Sequence, residues 1–131
     1  MKRLLVVVLT GMLMLGTVGP VLAGSKGATC SVSPSSAADG EPITVTVSGI
    51  TRQMTPYGWF ALYDIGPTET QAVSSLDLGT GSAFGDNGSY LVSWSGGVAV
   101  FSMHAQDPGT HLVEAVYRKV FASCQYAVPP H

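Results

Sequence analysis

Charged residues are scarce in this chain, and basic residues are fewer than acidic ones. Of the 131 residues, six are Lys or Arg and eight are Asp or Glu, which gives a formal net charge of −2 at pH 7. Proteins that hold nucleic acid by its phosphates need clustered Lys and Arg side chains. The sequence contains no such cluster, so we expect no nucleic-acid partner.

The motifs of common catalytic and cofactor sites are also missing. The chain has no G-x-S-x-G elbow and no pattern that pairs a nucleophile with a base. The glycine-rich stretch over residues 79–85 has its third glycine one residue late for a dinucleotide fingerprint, and no helical pattern follows it. We interpret Asp64, Glu69 and Asp77 as scattered surface carboxylates. The expectation is therefore a protein that is not an enzyme and binds no cofactor.

The one long apolar run stands at the N-terminus. It follows the basic start Met1-Lys2-Arg3 and ends in a Gly-Pro pair and the small-residue exit Val21-Leu22-Ala23. This pattern is typical of a signal peptide, which we predict over residues 1–23, leaving one mature domain over residues 24–131. A retained membrane anchor is the alternative, because Leu4 to Ser25 carry no charge.

Cleavage would place the mature protein outside the cytoplasm, in the periplasm, the cell envelope or the medium, with no membrane contact of its own. A lipid anchor is not expected, because Ser25 stands where a lipobox needs cysteine and Cys30 comes five residues later. The mature chain would keep four basic and eight acidic residues, a net charge of about −4 with ordinary side-chain pKa values.

The chain has only two cysteines, Cys30 and Cys124. In an exported protein such a pair most simply forms a disulfide, which here would join the start of the domain to its end. An intermolecular bridge is the alternative, as are two free thiols if the apolar run is retained and the domain faces a reducing cytosol.

No helical stripe of useful length follows the apolar run. Short β-branched and aromatic segments alternate instead with Gly, Pro, Asn and Asp, which is typical of an all-β sandwich. The chain is expected to end in a frayed tail over residues 129–131. The eight predicted strands are Thr29–Ser33, Pro42–Ser48, Gly58–Ile65, Gln71–Leu76, Ser89–Ser95, Val98–Ala105, Thr110–Arg118 and Phe121–Val128.

Several spacings resemble the immunoglobulin framework, and the stretch SVSPSSAADGEPITVTVSG resembles the opening of bacterial immunoglobulin-like and early-set (E-set) domains. Trp59 stands at the spacing of the strand C tryptophan, and Asp107 and Gly109 match the D-x-G start of the strand F corner. His111 takes the place of the corner tyrosine and Val113 that of the second cysteine. The resemblance implies an immunoglobulin-like sandwich of about seven or eight strands, with any disulfide joining the first and last strands.

His111 admits two interpretations. Its ring could bond the backbone at the corner, as the tyrosine hydroxyl would. With His104 and Asp107 it could instead contribute to a Zn²⁺ or Cu²⁺ site. Strand parity places His104 toward solvent and His111 toward the core, so we expect no metal.

Aromatic side chains offer the only candidate binding surface. We expect Trp59 in the core, and Tyr90, Val92 and Trp94 on one shared face of a strand, with Trp94 the ring considered for exposure. Two functions follow from these expectations. The favoured one is a secreted, non-catalytic module that acts by contact with a protein partner or with itself, or as a structural or adhesive unit. The alternative is a small carbohydrate-binding module that uses Trp94 and Tyr90.

Overall fold

The computed structural model describes residues 21–22, 27–51 and 58–130, and every regular element in these residues is a β-strand. Most residues of the predicted leader therefore lie outside the described part. The strands are β1 (Val21–Leu22), β2 (Thr29–Ser33), β3 (Pro42–Ser48), β4 (Trp59–Ile65), β5 (Thr70–Asp77), β6 (Ala83–Gly85), β7 (Tyr90–Ser95), β8 (Val98–His104), β9 (Gly109–Tyr117) and β10 (Lys119–Val128).

The strands form two antiparallel sheets that pack face to face. One sheet has the order β1-β10-β9-β4-β5-β6 and the other the order β2-β3-β8-β7. Lettered from β2 as strand A, the second sheet reads A-B-E-D, and the first, beyond its edge strand β1, reads G-F-C followed by two further strands, which is the order of a variable-type immunoglobulin sandwich. The predicted immunoglobulin-like, all-β fold is confirmed.

Alternation along the strands builds the interior. In β3, Ile43, Val45 and Val47 are buried while the Thr and Ser residues between them are more exposed, as a half-buried strand requires. Phe60 of β4 faces this layer, with its ring centroid 5.7 Å from that of Phe101 and 5.6 Å from that of Phe121. The two sheets therefore share one aromatic and aliphatic core.

The disulfide between Cys30 and Cys124 is formed. The two residues are 94 positions apart, their Cα atoms lie 5.3 Å apart, and both side chains are buried. Because Cys30 lies on β2 and Cys124 on β10, the bond joins the two sheets as well as the two ends of the domain.

The expectation that Trp59 lies in the core is wrong. Trp59 is 48% exposed, whereas Phe60 is fully buried. Successive residues of a strand point to opposite faces, so the burial of Phe60 and Leu62 turns Trp59 and Tyr63 outward. The structure therefore shifts the core aromatic of this strand by one residue from the position that the resemblance implies.

The expected shared face of Tyr90, Val92 and Trp94 is wrong for Trp94, whereas Tyr90 and Val92 are both exposed. The pairing of β7 with β8 shifts register between Leu91 and Ser93, which marks a β-bulge at Val92. Beyond the bulge Trp94 pairs with the buried Ala99 and packs against the core, while Tyr90 stays 58% exposed. The extra residue reverses the alternation.

Strand β6 lies where the sequence predicted only a glycine-rich loop. It pairs Phe84 with Ser75 of β5 and forms the edge of the larger sheet. At the opposite edge, Val21 and Leu22 pair with Cys124 and Ser123 of β10. Cleavage after Ala23 stays a prediction; it would remove β1, which pairs only with β10, and leave the other pairings in place. In the described residues no helix is long and apolar enough to cross a bilayer.

Candidate functional site

A polar cluster is buried where the ends of β4, β9 and β10 meet. Nδ1 of His111 lies 2.7 Å from Oδ1 of Asp64, and the Tyr126 hydroxyl donates to Oδ2 of Asp64 over 2.5 Å. Strand register brings the three together, because Tyr126 pairs with His111 and Asp64 pairs with Val113 on the neighbouring strand. The His111 and Tyr126 rings stack with their centroids 4.5 Å apart.

The geometry of His111 fixes how many protons the cluster holds. Nε2 lies 2.8 Å from the backbone oxygen of Asp107, which can only accept, so Nε2 carries a proton. The short contact between Nδ1 and Asp64 requires a second proton between those two atoms. The pair is therefore an imidazolium beside a carboxylate, or a neutral imidazole beside a carboxylic acid, and in both cases each polar atom has a partner.

Tyr126 is held in its neutral form. Burial of the phenol raises the pKa of Tyr126 well above its usual value, and its hydrogen bond to Asp64 raises it further. Tyr126 thus donates to Asp64 throughout the physiological pH range, which keeps the carboxyl group oriented toward His111.

The bond from His111 to Asp107 confirms the interpretation of His111 as a corner residue. The interpretation of Asp64 as a surface carboxylate is wrong. Asp64 is buried and is the partner of His111. The expectation for Trp59 is wrong for the same reason. Alternate residues of β4 point to the same face, so a strand that turns Phe60 and Leu62 inward also turns Asp64 inward.

The cluster leaves little room for a ligand. The cavity beside it has a volume of about 10 Å³, which suits about one water molecule. Within residues 27–51 and 58–130, no group of three or more His, Cys, Asp and Glu side chains could hold a metal ion. Of the weak metal candidates, His111 uses both ring nitrogens in its bonds to Asp64 and to the backbone of Asp107, and the His104 ring lies against Gly88. Chemically, the cluster can retain a proton and connect three strands.

The outer face of the larger sheet carries two exposed aromatic side chains that contact each other. Trp59 and Phe84 stack with their ring centroids 5.8 Å apart and their planes 21° apart, although they are 48% and 66% exposed. A stacked pair of this kind presents apolar area to solvent in a fixed orientation, which is a property of contact surfaces.

Phe84 is one end of a cross-strand row that we name the outer row. Each member pairs with the next in register, and cross-strand partners lie on the same face of a sheet. At the other end of the row Val120 is 44% exposed. From β10 to β6 the outer row consists of Val120, Val116, Ala61, Ser75 and Phe84.

Asp77 and Arg118 each follow a member of the outer row by two residues along the chain. Asp77 pairs with Trp59 on the β5 side, one outward position beyond Ser75. Arg118 follows the end of β9 in the turn to β10, and its guanidinium lies 5.5 Å from the centroid of the Tyr117 ring.

Tyr90 and Trp94, the binding residues proposed from sequence, are not brought together. Tyr90 is exposed on the smaller sheet, and Trp94 points to the interior. No family model matches this sequence, and no curated protein matches it either.

Proposed function

We propose that the protein is an exported, non-catalytic immunoglobulin-like module that acts by contact with a protein through the outer row and the Trp59–Phe84 pair. The observation that carries this proposal is the exposure of two stacked aromatic rings on one sheet face. Aromatic anchors of this kind dominate the binding energy of protein interfaces.

The hydrogen bonding of the buried polar groups supports a function in binding rather than in catalysis. The buried cluster uses its hydrogen-bonding groups on its own members and on neighbouring backbone groups, and the cavity beside it has room for about one water molecule. The Cys30–Cys124 bond supports export, because disulfides persist in oxidising compartments.

Affinity capture with a matched variant tests the proposal. The full chain, tagged at its C-terminus, is expressed in the producing cell and recovered with its partners after mild crosslinking. We expect Phe84→Ser to lose a specific partner that the parent retains. Tyr90→Ser is the control, since Tyr90 is similarly exposed but lies on the other sheet. Equal recovery of partners by the parent and Phe84→Ser contradicts the proposed surface.

A carbohydrate partner is the second candidate, and the Trp59–Phe84 pair also favours it. Planar exposed rings can stack on the apolar faces of sugars, whereas the Tyr90 and Trp94 rings face opposite sides of β7. Titration of Trp fluorescence with soluble polysaccharides tests this function. A saturable change that is lost in Trp59→Phe and kept in Trp94→Phe supports it, and no change in the parent protein contradicts it.

A further inference from the structure

Strand β10 pairs with β9 along one of its two edges, and its other edge bonds to segments near the N-terminus. The N–H and C=O of Ala127 face this second edge, because they bond to Ser35 and Ala37. Backbone groups alternate between the two edges of an antiparallel strand, and the register with β9 is regular over this part of β10. The N–H and C=O groups of Ser123 and Gln125 therefore face the same edge as those of Ala127.

Strand β1 occupies part of this edge. It lies antiparallel to β10, with Leu22 opposite Ser123 and Val21 opposite Cys124. Because the Ser123 groups point away from β9, Leu22 and Ser123 form the kind of cross-strand pair that exchanges two backbone hydrogen bonds. The edge of β10 thus accepts an added antiparallel strand.

The predicted cleavage after Ala23 would remove β1 and open the edge at Ser123 and Gln125. An unpaired edge of this kind is a template for the strand of another chain. Such a strand can pair over a longer stretch than the leader can. Two residues before Leu22 the sequence has Pro20, which has no N–H to donate to the outward carbonyl of Gln125 in a continued ladder. A strand with any other residue at that position can form one hydrogen bond more.

A cavity of about 210 Å³ lies at the Gln125 end of this edge. It is far larger than the cavity beside the buried cluster, so it has room for a side chain. Cross-strand partners share a face of the sheet, so a residue added opposite Gln125 would place its side chain beside this cavity. The hydroxyl and amide groups of the lining favour a side chain with a hydrogen-bonding end. The lining residues are Ser35, Thr110, Gln125, Tyr126 and Ala127.

We propose that the mature domain binds an extended segment of another protein, which adds to β10 as an antiparallel strand in place of Val21–Leu22. At the position opposite Gln125 this segment supplies a backbone N–H and a side chain that enters the cavity. Strand addition derives affinity from backbone hydrogen bonds and specificity from pockets for alternate side chains. The inference goes beyond the proposed contact through the outer row, and it rests on the export that the proposed function includes.

Titration of the isotope-labelled, secreted product with synthetic peptides tests the proposal by NMR. The full chain is expressed for secretion, and intact mass establishes whether residues 1–23 are absent. The probe peptide is TVGPVLAGSK, residues 17–26 of this sequence, with the change Pro20→Tyr. Saturable shifts of the Ser123 and Gln125 amide signals are expected. The peptide with Pro20 unchanged should bind at least about two- to tenfold more weakly, because it lacks one hydrogen bond. Pro20→Ala, which has the N–H but no large side chain, should lie between the two.

Two controls remove the backbone bond at Ser123 and keep the other contacts. An N-methyl group on Leu22 of the probe peptide removes its N–H, keeps every side chain, and should weaken binding by about tenfold. On the protein, Ser123→Pro removes the outward N–H without loss of a bond to β9, whereas Ser123→Ala keeps it. Ser123→Pro is expected to abolish the shifts and Ser123→Ala to retain them. Thermal unfolding checks the fold of both variants, and the N-methylated peptide tests the same bond on the unaltered protein.

The outcomes separate strand addition from the proposed function. A secreted product that retains β1, equal binding of the methylated and unmethylated peptides, or no shifts with about 1 mM peptide overturns strand addition. Phe84→Ser is expected to bind the peptides as the parent does, because β6 and β10 lie toward opposite edges of the larger sheet. If the peptides fail to bind while Phe84→Ser still loses a captured partner, the proposed function stands and strand addition is rejected.

Discussion

Asp64 and His111 form a buried pair across two neighbouring strands, with 2.7 Å between Oδ1 and Nδ1, although 47 residues separate them in the sequence. Neither side chain has appreciable contact with solvent. Taking two such groups out of water is costly, so each depends on the other.

Removal of one member of the pair is therefore expected to lower the free energy of unfolding by more than the loss of that residue's own contacts. Asp64→Leu should lower the free energy of unfolding by about 3–5 kcal/mol, because it leaves His111 without its partner in the core. The double variant Asp64→Leu with His111→Leu should lose less than the sum of the two single changes, by about 0.5–3 kcal/mol. Urea unfolding at pH 7 of the four proteins measures this coupling, and strict additivity would contradict it.

Because its hydroxyl is buried, Tyr126 is expected to lower the stability of the folded protein at alkaline pH. Its pKa in the folded protein is raised by burial and by Asp64, while the unfolded chain ionises near pH ~10. The contribution of the neutral Tyr126 side chain to the free energy of unfolding is thus fully present below pH ~10, and it falls by about 1.4 kcal/mol per pH unit above that value.

Tyr126→Phe lacks this ionisation and is the matched control. At neutral pH it should be less stable than the parent by about 1–3 kcal/mol, since Asp64 loses a donor. The difference should narrow as the pH rises above about 10. Urea unfolding of both proteins from pH 8 upward checks this, and a difference that stays constant with pH would count against the buried, neutral phenol.

The orientation of β4, with Phe60 inward and Trp59 outward, can be tested by truncating each of these two aromatic residues. Phe60→Ala should lower the free energy of unfolding by about 3–5 kcal/mol, as truncation of a core phenylalanine does. Trp59→Ala should change it by only about 0.5 kcal/mol, because a surface substitution leaves no cavity. Thermal or urea unfolding distinguishes the two, and a larger loss for Trp59→Ala would reverse the orientation of the strand.

The disulfide is expected to be both inaccessible and strongly stabilising. Replacement of Cys30 and Cys124 by Ala should lower the free energy of unfolding by about 4 kcal/mol, since the bond closes a long loop in the unfolded chain. Intact-mass analysis after alkylation should show no label without reductant and two labels after reduction under denaturing conditions. Labelling of the native, unreduced protein would show that the bond is not formed.

The strands and the disulfide could be predicted from the sequence because each rests on a local pattern or a simple count. In Pro42–Ser48, apolar residues alternate with Thr and Ser, which leaves one choice of inner face. The pairing of Cys30 with Cys124 could be predicted because the chain has only two cysteines and because an oxidising compartment was expected.

The inner face of β4 could not be predicted in the same way. Its sequence, WFALYDI, is apolar at both alternating sets of positions, so periodicity alone does not distinguish Trp59 from Phe60. Asp64 was missed for the same reason. The bulge at Val92 depends on pairing with β8 rather than on β7 alone, and the three-residue strand β6 is too short to carry a period.

Side-chain footprinting with hydroxyl radicals tests the contact surface most directly. The protein is labelled dilute and pure, and again at high concentration or within the envelope fraction of the producing cell. Labelling of Trp59 and Phe84 should fall in the second condition while labelling of Tyr90 stays unchanged, because only the first two lie on the outer face of the larger sheet. Equal labelling of Trp59 and Phe84 in all conditions would contradict a function by contact through this face.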